Sequence, residues 1–289
     1  MTRAFITACS NKYFPSVLNL IGSIEANSPE HPAIYIYDLG LSHSFKKILR
    51  AQPGVTLLDL PPEPIFWRAG YAWKTYIFNT PLADLNFYLD AGAEVLSSLD
   101  PVYEAIERDD YFAFSLNPGF RLNKIAPREY QTLFPLPADA YNKIYLDAGI
   151  FGFKNNSRLT AILARVRDAA LAGLTLGFSP AEKWRNHGRE KSLFVRDCPL
   201  FRHDQSVLNL IMRQELGDFK IHCQVPSGQN EGLIFLNTPL LRIIGRGYSD
   251  LPFARKILDK QPGKIFWLNL FLNLKSGRLK IKRALHLLK

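Results

Sequence analysis

Apolar residues and turn formers divide the first sixty residues into short alternating blocks. Ala4-Phe5-Ile6-Thr7-Ala8 reads as a strand, and after the turn Cys9-Ser10-Asn11-Lys12 the apolar positions Tyr13, Val17, Leu20, Ile21 and Ile24 recur at helical spacing until Asn27-Ser28-Pro29 stops them. Ala33-Ile34-Tyr35-Ile36-Tyr37 predicts a second strand, Phe45 to Leu49 a helix, and Val55 to Leu60 a third strand. Alternation of this kind predicts an α/β fold with a mostly parallel central sheet flanked by helices. The proline cluster Pro61-Pro62-Glu63-Pro64 closes the unit. Beyond it, Tyr71 to Phe78 reads as a helix, Asp100-Pro101 as the start of another with the acid as a cap, and Tyr111 to Phe114 as a strand. The proline-rich stretch from Asn117 to Pro137 predicts a surface or lid loop. Leu159 to Leu171 reads as a helix, Ser179 to Arg202 as a polar loop containing Trp184 and His187, Asp204 to Met212 as a helix, and Phe219 to Cys223 as a late strand.

One pentapeptide occurs twice, as Tyr88-Leu89-Asp90-Ala91-Gly92 and as Tyr145-Leu146-Asp147-Ala148-Gly149. The flanks share nothing, so this is not a repeat architecture. Each copy is preceded by apolar, strand-favouring residues (Phe87; Ile144), and each is therefore expected to be a strand that ends in a carboxylate.

The hydrophobic fraction of 47% over 289 residues is enough for a substantial core. Cys9, Cys198 and Cys223 have no metal-ligand spacing and form an odd set, which fits a reducing, cytoplasmic setting. No signal-peptide core or transmembrane run is evident. The formal charge of +10 is unevenly distributed: Lys260 to Lys289 carries eight basic residues and no acid, which leaves the rest at +2. A nearly neutral body without a nucleic-acid motif argues against nucleic acid as a partner. In the tail, Ile281, Ala284, Leu285 and Leu288 form an apolar stripe beside Arg278, Lys282, Arg283 and Lys289. A basic amphipathic segment of this kind is expected to lie on an anionic membrane surface, here the inner face, or to pack on the body with its charges solvated.

The order of four further elements carries a resemblance. They are Phe5-Ile6-Thr7-Ala8 followed by Asn11-Lys12-Tyr13; Trp73-Lys74; Phe87-Tyr88-Leu89-Asp90-Ala91-Gly92 with Leu99-Asp100-Pro101; and Asp147-Ala148-Gly149-Ile150-Phe151-Gly152-Phe153 with the later His203-Asp204-Gln205-Ser206-Val207-Leu208-Asn209. Over roughly the first 240 residues this order resembles nucleotide-sugar glycosyltransferases of the GT-A fold, in particular family-eight-like bacterial surface-glycan enzymes. With no linker rich in Gly, Ser or Pro to divide the body, the chain is expected to be one domain over 1–259 followed by a basic segment over 260–289, and the resemblance makes that domain a donor-binding catalytic one. It implies transfer from a nucleoside diphosphate sugar, a UDP-sugar by the family pattern, to a glycan or lipid-linked acceptor in surface polysaccharide synthesis. It assigns Thr7, Ala8, Lys12, Lys74, Asp90, Ala91, Gly92 and Arg246 to the donor, and Asp147, Asp204 and Gln205 to catalysis beside the donor sugar. It also gives Asp90 to a divalent ion, Mn2+ or Mg2+, and sets both pentapeptides on one cleft.

The chemistry is consistent with those residue types. Glycosyl transfer develops positive charge on the sugar and negative charge on the departing diphosphate, so it needs carboxylates or amides near one and cations near the other. Asp90, Asp147, Asp204 and Gln205 suit the first; a metal ion, or Lys12, Arg68, Lys74 and Arg246, suits the second. The sequence departs from the family pattern at Gly92, which stands where a second metal-binding Asp belongs, with Glu94 the next acid. The family's late metal-binding histidine has no match near Ile243-Ile244-Gly245-Arg246, and His203 and His222 are spare candidates. Metal dependence is thus open, with Arg242 or Arg246 as direct partners of a diphosphate. Two other readings stand beside this one: a nucleotidyltransferase, against which the loop Cys9-Ser10-Asn11-Lys12-Tyr13 lacks glycine, and a degenerate transferase acting as a membrane-surface binding module.

Overall fold

The computed structural model describes residues 1–61, 70–177, 197–198, 200–223, 233–235, 239–243 and 251–259. Arg68, Trp184, His187, Arg246 and the segment 260–289 lie outside the described residues, and so does most of the expected polar loop before Arg202.

The apolar blocks of the N-terminal region become β1 (Arg3–Cys9), α1 (Phe14–Asn27), β2 (Ile34–Asp38), α2 (His43–Arg50) and β3 (Val55–Asp59). Then follow α3 (Trp73–Phe78), β4 (Leu85–Leu89), β5 (Ala93–Val95), α4 (Asp100–Asp109) and β6 (Tyr111–Ala113). The later elements are α5 (Arg128–Leu133), β7 (Ile150–Lys154), α6 (Ser157–Leu171), α7 (Asp204–Leu216), β8 (Ile221–Cys223), β9 (Leu233–Phe235), β10 (Leu241–Ile243) and α8 (Pro252–Asp259). Six strands form one sheet in the order β3-β2-β1-β4-β7-β6. β1 and β4 pair in parallel with Phe5 opposite Phe87, whereas β7 runs antiparallel to both β4 and β6, so β6 points the same way as β4. The sheet is mostly parallel and flanked by helices, as the alternating blocks predict.

The chain divides into two compact units. The first comprises Met1–Ile6, Asp59–Leu89 and Asp100–Thr238; the second comprises Thr7–Leu58, Asp90–Leu99 and Pro239–Lys289. In the first, aromatic rings fill the space under the strands: Phe87 meets Phe5, Tyr103 and Phe112 edge to face, an arrangement worth about 0.5–1.5 kcal/mol per pair beyond burial. Gly152 in β7 is required by close approach, because a Cβ there would stand 2.5 Å from Ile106 Cδ1 and 2.8 Å from Phe112 Cβ. In the second unit, α1 is buried from Phe14 to Ile24, and Gly22 lets α8 close on it, since a Cβ would fall 2.7 Å from Phe253 Cβ. Helix starts follow local chemistry: Ser42 Oγ accepts Phe45 N–H and Asn156 Oδ1 accepts Leu159 N–H, at 3.4 and 2.9 Å.

Two expectations are corrected. The stretch 117–137 is not an irregular surface loop: it contains a 3-10 turn at Leu122–Lys124 and helix α5, and Leu122, Ile125 and Tyr130 are buried. Part of its apolar set turns inward while Phe120 and Leu133 stay exposed, and Pro127 stands at the start of α5 rather than preventing it. The second pentapeptide is not the end of a strand. Residues Tyr145 to Ala148 lie outside the sheet, and the strand begins only after the turn, at Ile150. The backbone at Leu146 is satisfied by the side chain of Asn209 instead of by a neighbouring strand. Among the described residues no helix is long and apolar enough to cross a membrane.

Candidate functional site

The first unit gathers Lys74, Asp147, Asp204 and Gln205. Lys74 sits in the first turn of α3, behind a backbone bend that few residues tolerate. Gly70 has φ +58° and a Cβ there would fall 2.4 Å from Thr175 O; Tyr71 follows with φ +57°. His203, immediately before α7, has φ +55°, and its ring lies 5.8 Å from that of Tyr71. Left-handed backbone at a tyrosine and a histidine is strained by about 1–3 kcal/mol each, and such strain concentrates at functional sites. His203 Nδ1 lies 2.9 Å from Thr175 O, which brings the bends before α3 and α7 to the same peptide.

Between these bends a buried lysine meets a buried acid. Lys74 and Asp204 are each 4% exposed, and Lys74 Nζ stands 3.7 Å from Asp204 Oδ2. The ammonium also lies over the rings of Tyr71, Trp73 and Tyr88, at 5.4, 5.6 and 5.5 Å from their centroids, so cation–π attraction offsets part of its lost hydration. Asp204 is the first residue of α7, where the N-terminal end of the helix dipole favours a carboxylate.

Asp147 reaches this group from the second pentapeptide. Its N–H donates to Phe114 O at the end of β6 (2.7 Å), and its Oδ2 accepts Leu116 N–H at 2.6 Å. Burial pushes its carboxyl above the usual range, opposed by the Leu116 N–H, the Arg202 charge, the Gln205 carboxamide and the Lys74 charge. Gln205 Nε2 is buried without a hydrogen bond of good geometry, yet its carboxamide faces Asp147 and favours the charged form. Such an arrangement can hold a proton on Asp147, or meet developing positive charge with it, beside a cation suited to an anionic group.

The second unit carries Thr7, Ala8, Lys12, Asp90, Ala91 and Gly92. Thr7 and Ala8 close β1, with Thr7 Oγ1 buried and lacking a hydrogen bond. Lys12 lies in a 3-10 turn with its ammonium over the Tyr13 ring. Asp90 follows β4 directly, and its carbonyl accepts Ala93 N–H at 3.1 Å to close the turn. Glu94 is committed elsewhere: 3% exposed on β5, it accepts Asn19 Nδ2 at 2.8 Å and pairs with Arg242 at 2.6 Å. That pairing removes Glu94 as a second metal ligand and engages Arg242. Among the described residues no group of three or more His, Cys, Asp and Glu could hold a metal ion. The described donors therefore do not assemble a metal site by themselves, and no step is assigned to one. His222 is a core residue, stacked on Phe112 with ring centroids 4.6 Å apart, its pKa lowered by burial to about 4.

Sequence reasoning gives no role to Arg202, nor to Asn209 although Asn209 ends the His203–Asn209 motif. Arg202 immediately precedes the His203-Asp204-Gln205 motif, and Asn209 falls one helical turn after Gln205, the spacing that could have marked it.

No protein-family model matches the sequence, and no curated protein matches it. Solved structures that it resembles include apo WbbM, a bifunctional glycosyltransferase (15% identity, 73% of this chain and 37% of that one, TM-score 0.49). Another is the apo glycosyltransferase GlyE of Streptococcus pneumoniae TIGR4 (19% identity, 74% and 44% covered, TM-score 0.40). A third is the galactosyltransferase LgtC with donor and acceptor sugar analogues (18% identity, 68% and 83% covered, TM-score 0.40). The chain thus spans less than half the length of the first two. At such TM-scores likeness assigns neither family nor activity, and the reading of function rests on the site.

Proposed function

We propose that the protein transfers a glycosyl group from a nucleoside diphosphate sugar to an acceptor hydroxyl. The observation that supports it most is the juxtaposition of a buried Lys74–Asp204 pair with Asp147, a carboxyl biased toward protonation, and Gln205. In the reaction the acceptor oxygen bonds to the anomeric carbon, and the bond from that carbon to the phosphate oxygen breaks with its electron pair on the diphosphate. The acceptor proton passes to a carboxylate or to the departing phosphate. On this reading Asp147, Asp204 and Gln205 face the sugar, where positive charge develops, and Lys74 offsets charge on the leaving group. Thr7, Ala8, Lys12, Asp90, Ala91, Gly92 and Arg246 belong to donor binding, with Asp90 the ligand for a divalent ion held mainly by the donor's own phosphates. The acceptor is a glycan or lipid-linked saccharide, and the 260–289 segment brings the enzyme to the anionic membrane surface that carries it.

Calorimetry across UDP-, GDP- and CMP-sugars, with and without manganese, tests the reading: selective binding of one donor is expected, and none in either condition ends it. Donor binding without transfer to any acceptor would favour the degenerate module, and pyrophosphorolysis without transfer the nucleotidyltransferase. Flotation with anionic liposomes, comparing full-length protein with a chain cut before Lys264, tests the tail. Equal flotation at low salt defeats the membrane role.

A further inference from the structure

Asp147 occupies a segment that has no sheet ladder, yet its backbone is held at Ile144, Leu146 and Asp147 itself. Asn209, fully buried on α7, accepts Leu146 N–H at 2.8 Å through Oδ1 and donates to Leu146 O at 2.9 Å through Nδ2. The same Nδ2 donates to Gln205 O, one helical turn back, at 2.8 Å. One carboxamide thus imitates the paired hydrogen bonds of a neighbouring strand and ties the residue before Asp147 to the residue after Asp204. One turn further along α7, Arg213 donates to Ile144 O at 2.6 Å. The bonds from Asp147 N–H to Phe114 O and from Leu116 N–H to Asp147 Oδ2 complete the hold from the other side.

From these contacts we infer that Asn209 is a positioning residue: through Leu146 it fixes the Asp147 carboxylate against the first turn of α7, where Asp204 and Gln205 stand. The catalytic meaning of that placement rests on the proposed function; the placement itself does not. Only a carboxamide serves, because the clamp needs one acceptor and two donors from a single short side chain. The charged and titratable groups around Asp147 are Lys74 on α3 with Asp204 of α7 paired to it, Arg202 before α7 and Tyr145 in its own segment, with the Gln205 amide beside them. The clamp bonds run from Asn209 to the Leu146 backbone and to Gln205 O, not to the Asp147 carboxyl, so the clamp acts on where Asp147 sits.

The test follows the Asp147 carboxyl carbon by 13C NMR titration, the signal being assigned by its loss in Asp147→Asn. In Asn209→Ser the segment is released toward water, and the Asp147 midpoint is expected to fall toward the ordinary carboxylate range. In the transfer assay the same variant is expected to lose about 10- to 100-fold in kcat with donor Kd within about threefold, as small misplacements of a reacting group do. In an Asp147→Asn background Asn209→Ser should cost no further turnover. If the wild-type protein transfers no sugar, the proposed function fails while the titration still decides the clamp. An unmoved Asp147 midpoint in folded Asn209→Ser, or a further loss in the Asp147→Asn background, overturns the inference. Should Asn209→Ser not fold, replacing the Leu146 amide by an ester deletes one clamp bond with every side chain retained; an unmoved midpoint there overturns it equally.

Discussion

Replacing Lys74 by Met removes the ammonium while retaining most of the side-chain volume among Tyr71, Trp73 and Tyr88. Two charges at 3.7 Å attract by about 4 kcal/mol at an effective dielectric constant of about 20, and a cation–π contact to a desolvated cation such as Lys74 is worth about 2 kcal/mol. Desolvation of both ions opposes this by several kcal/mol. Deleting one member of such a pair costs about 3–5 kcal/mol, chiefly because its partner stays charged and dehydrated. The contact is longer than a hydrogen bond, so the lower end, about 3 kcal/mol, is expected. For a unit of this size that corresponds to a fall in Tm of roughly 6–12 °C. Asp204→Asn should also destabilise, and the double variant should lose at least about 1.5 kcal/mol less than the two single losses together. The assay is thermal and urea unfolding of the four proteins of the cycle. A Lys74→Met variant within a degree of the parent, or strictly additive losses, would refute the buried pair as an energetic unit.

Three further outcomes are expected. Glu94→Ala should destabilise by about 2–3 kcal/mol, since it strands the buried Asn19 amide; Arg242→Ala, which leaves the buried Glu94 carboxylate with Asn19 but without its cation, should cost about 1–3 kcal/mol. Neither should alter manganese affinity measured by calorimetry, and a loss of affinity in Glu94→Gln would restore Glu94 as a ligand. Asp147→Asn should raise Tm at pH 7: a carboxyl held above its unfolded value stabilises fully only below the unfolded pKa, and that contribution is lost as pH rises through the folded one. The gain should vanish near pH 3, and a gain that persists there contradicts the burial argument. His222, with its pKa lowered to about 4, should make stability fall by up to about 3 kcal/mol as pH drops from 6.5 to 4, because the unfolded chain takes the proton first; His222→Leu should flatten that slope in unfolding curves taken across the range.

Much of this was legible in the chain because it depends on local chemistry. The N-terminal strands and helices follow from apolar spacing bounded by Asn27-Ser28-Pro29 and Ser42, and the α7 start at Asp204 follows from an acid before an apolar run. What sequence could not supply were facts made by distant neighbours. Glu94 looks like a spare ligand until Asn19 and Arg242 claim it from 75 and 148 residues away. Trp73 and Tyr71 look like packing until the Lys74 ammonium is seen among their rings.

The repeated pentapeptide shows where local coding stops. In both copies the Asp carbonyl accepts the N–H three residues on, from Ala93 at 3.1 Å and from Ile150 at 2.9 Å. The shared Asp-Ala-Gly therefore encodes one turn, a task that suits an acid followed by small residues. It does not encode which side of the turn is strand. After β4 the first copy leaves the sheet, whereas the second enters it at β7, running antiparallel to β4. The apolar residues Tyr145 and Leu146 satisfy a strand pattern as well as Tyr88 and Leu89 do, and only the competition for their backbone groups separates them. Tyr88 and Leu89 find strand partners on β1 and β7; Leu146 finds a carboxamide on a helix. A helix side chain in place of a ladder leaves Asp147 tied to α7 rather than to the sheet, which is the tie a carboxylate needs if it is to act in register with Asp204 and Gln205.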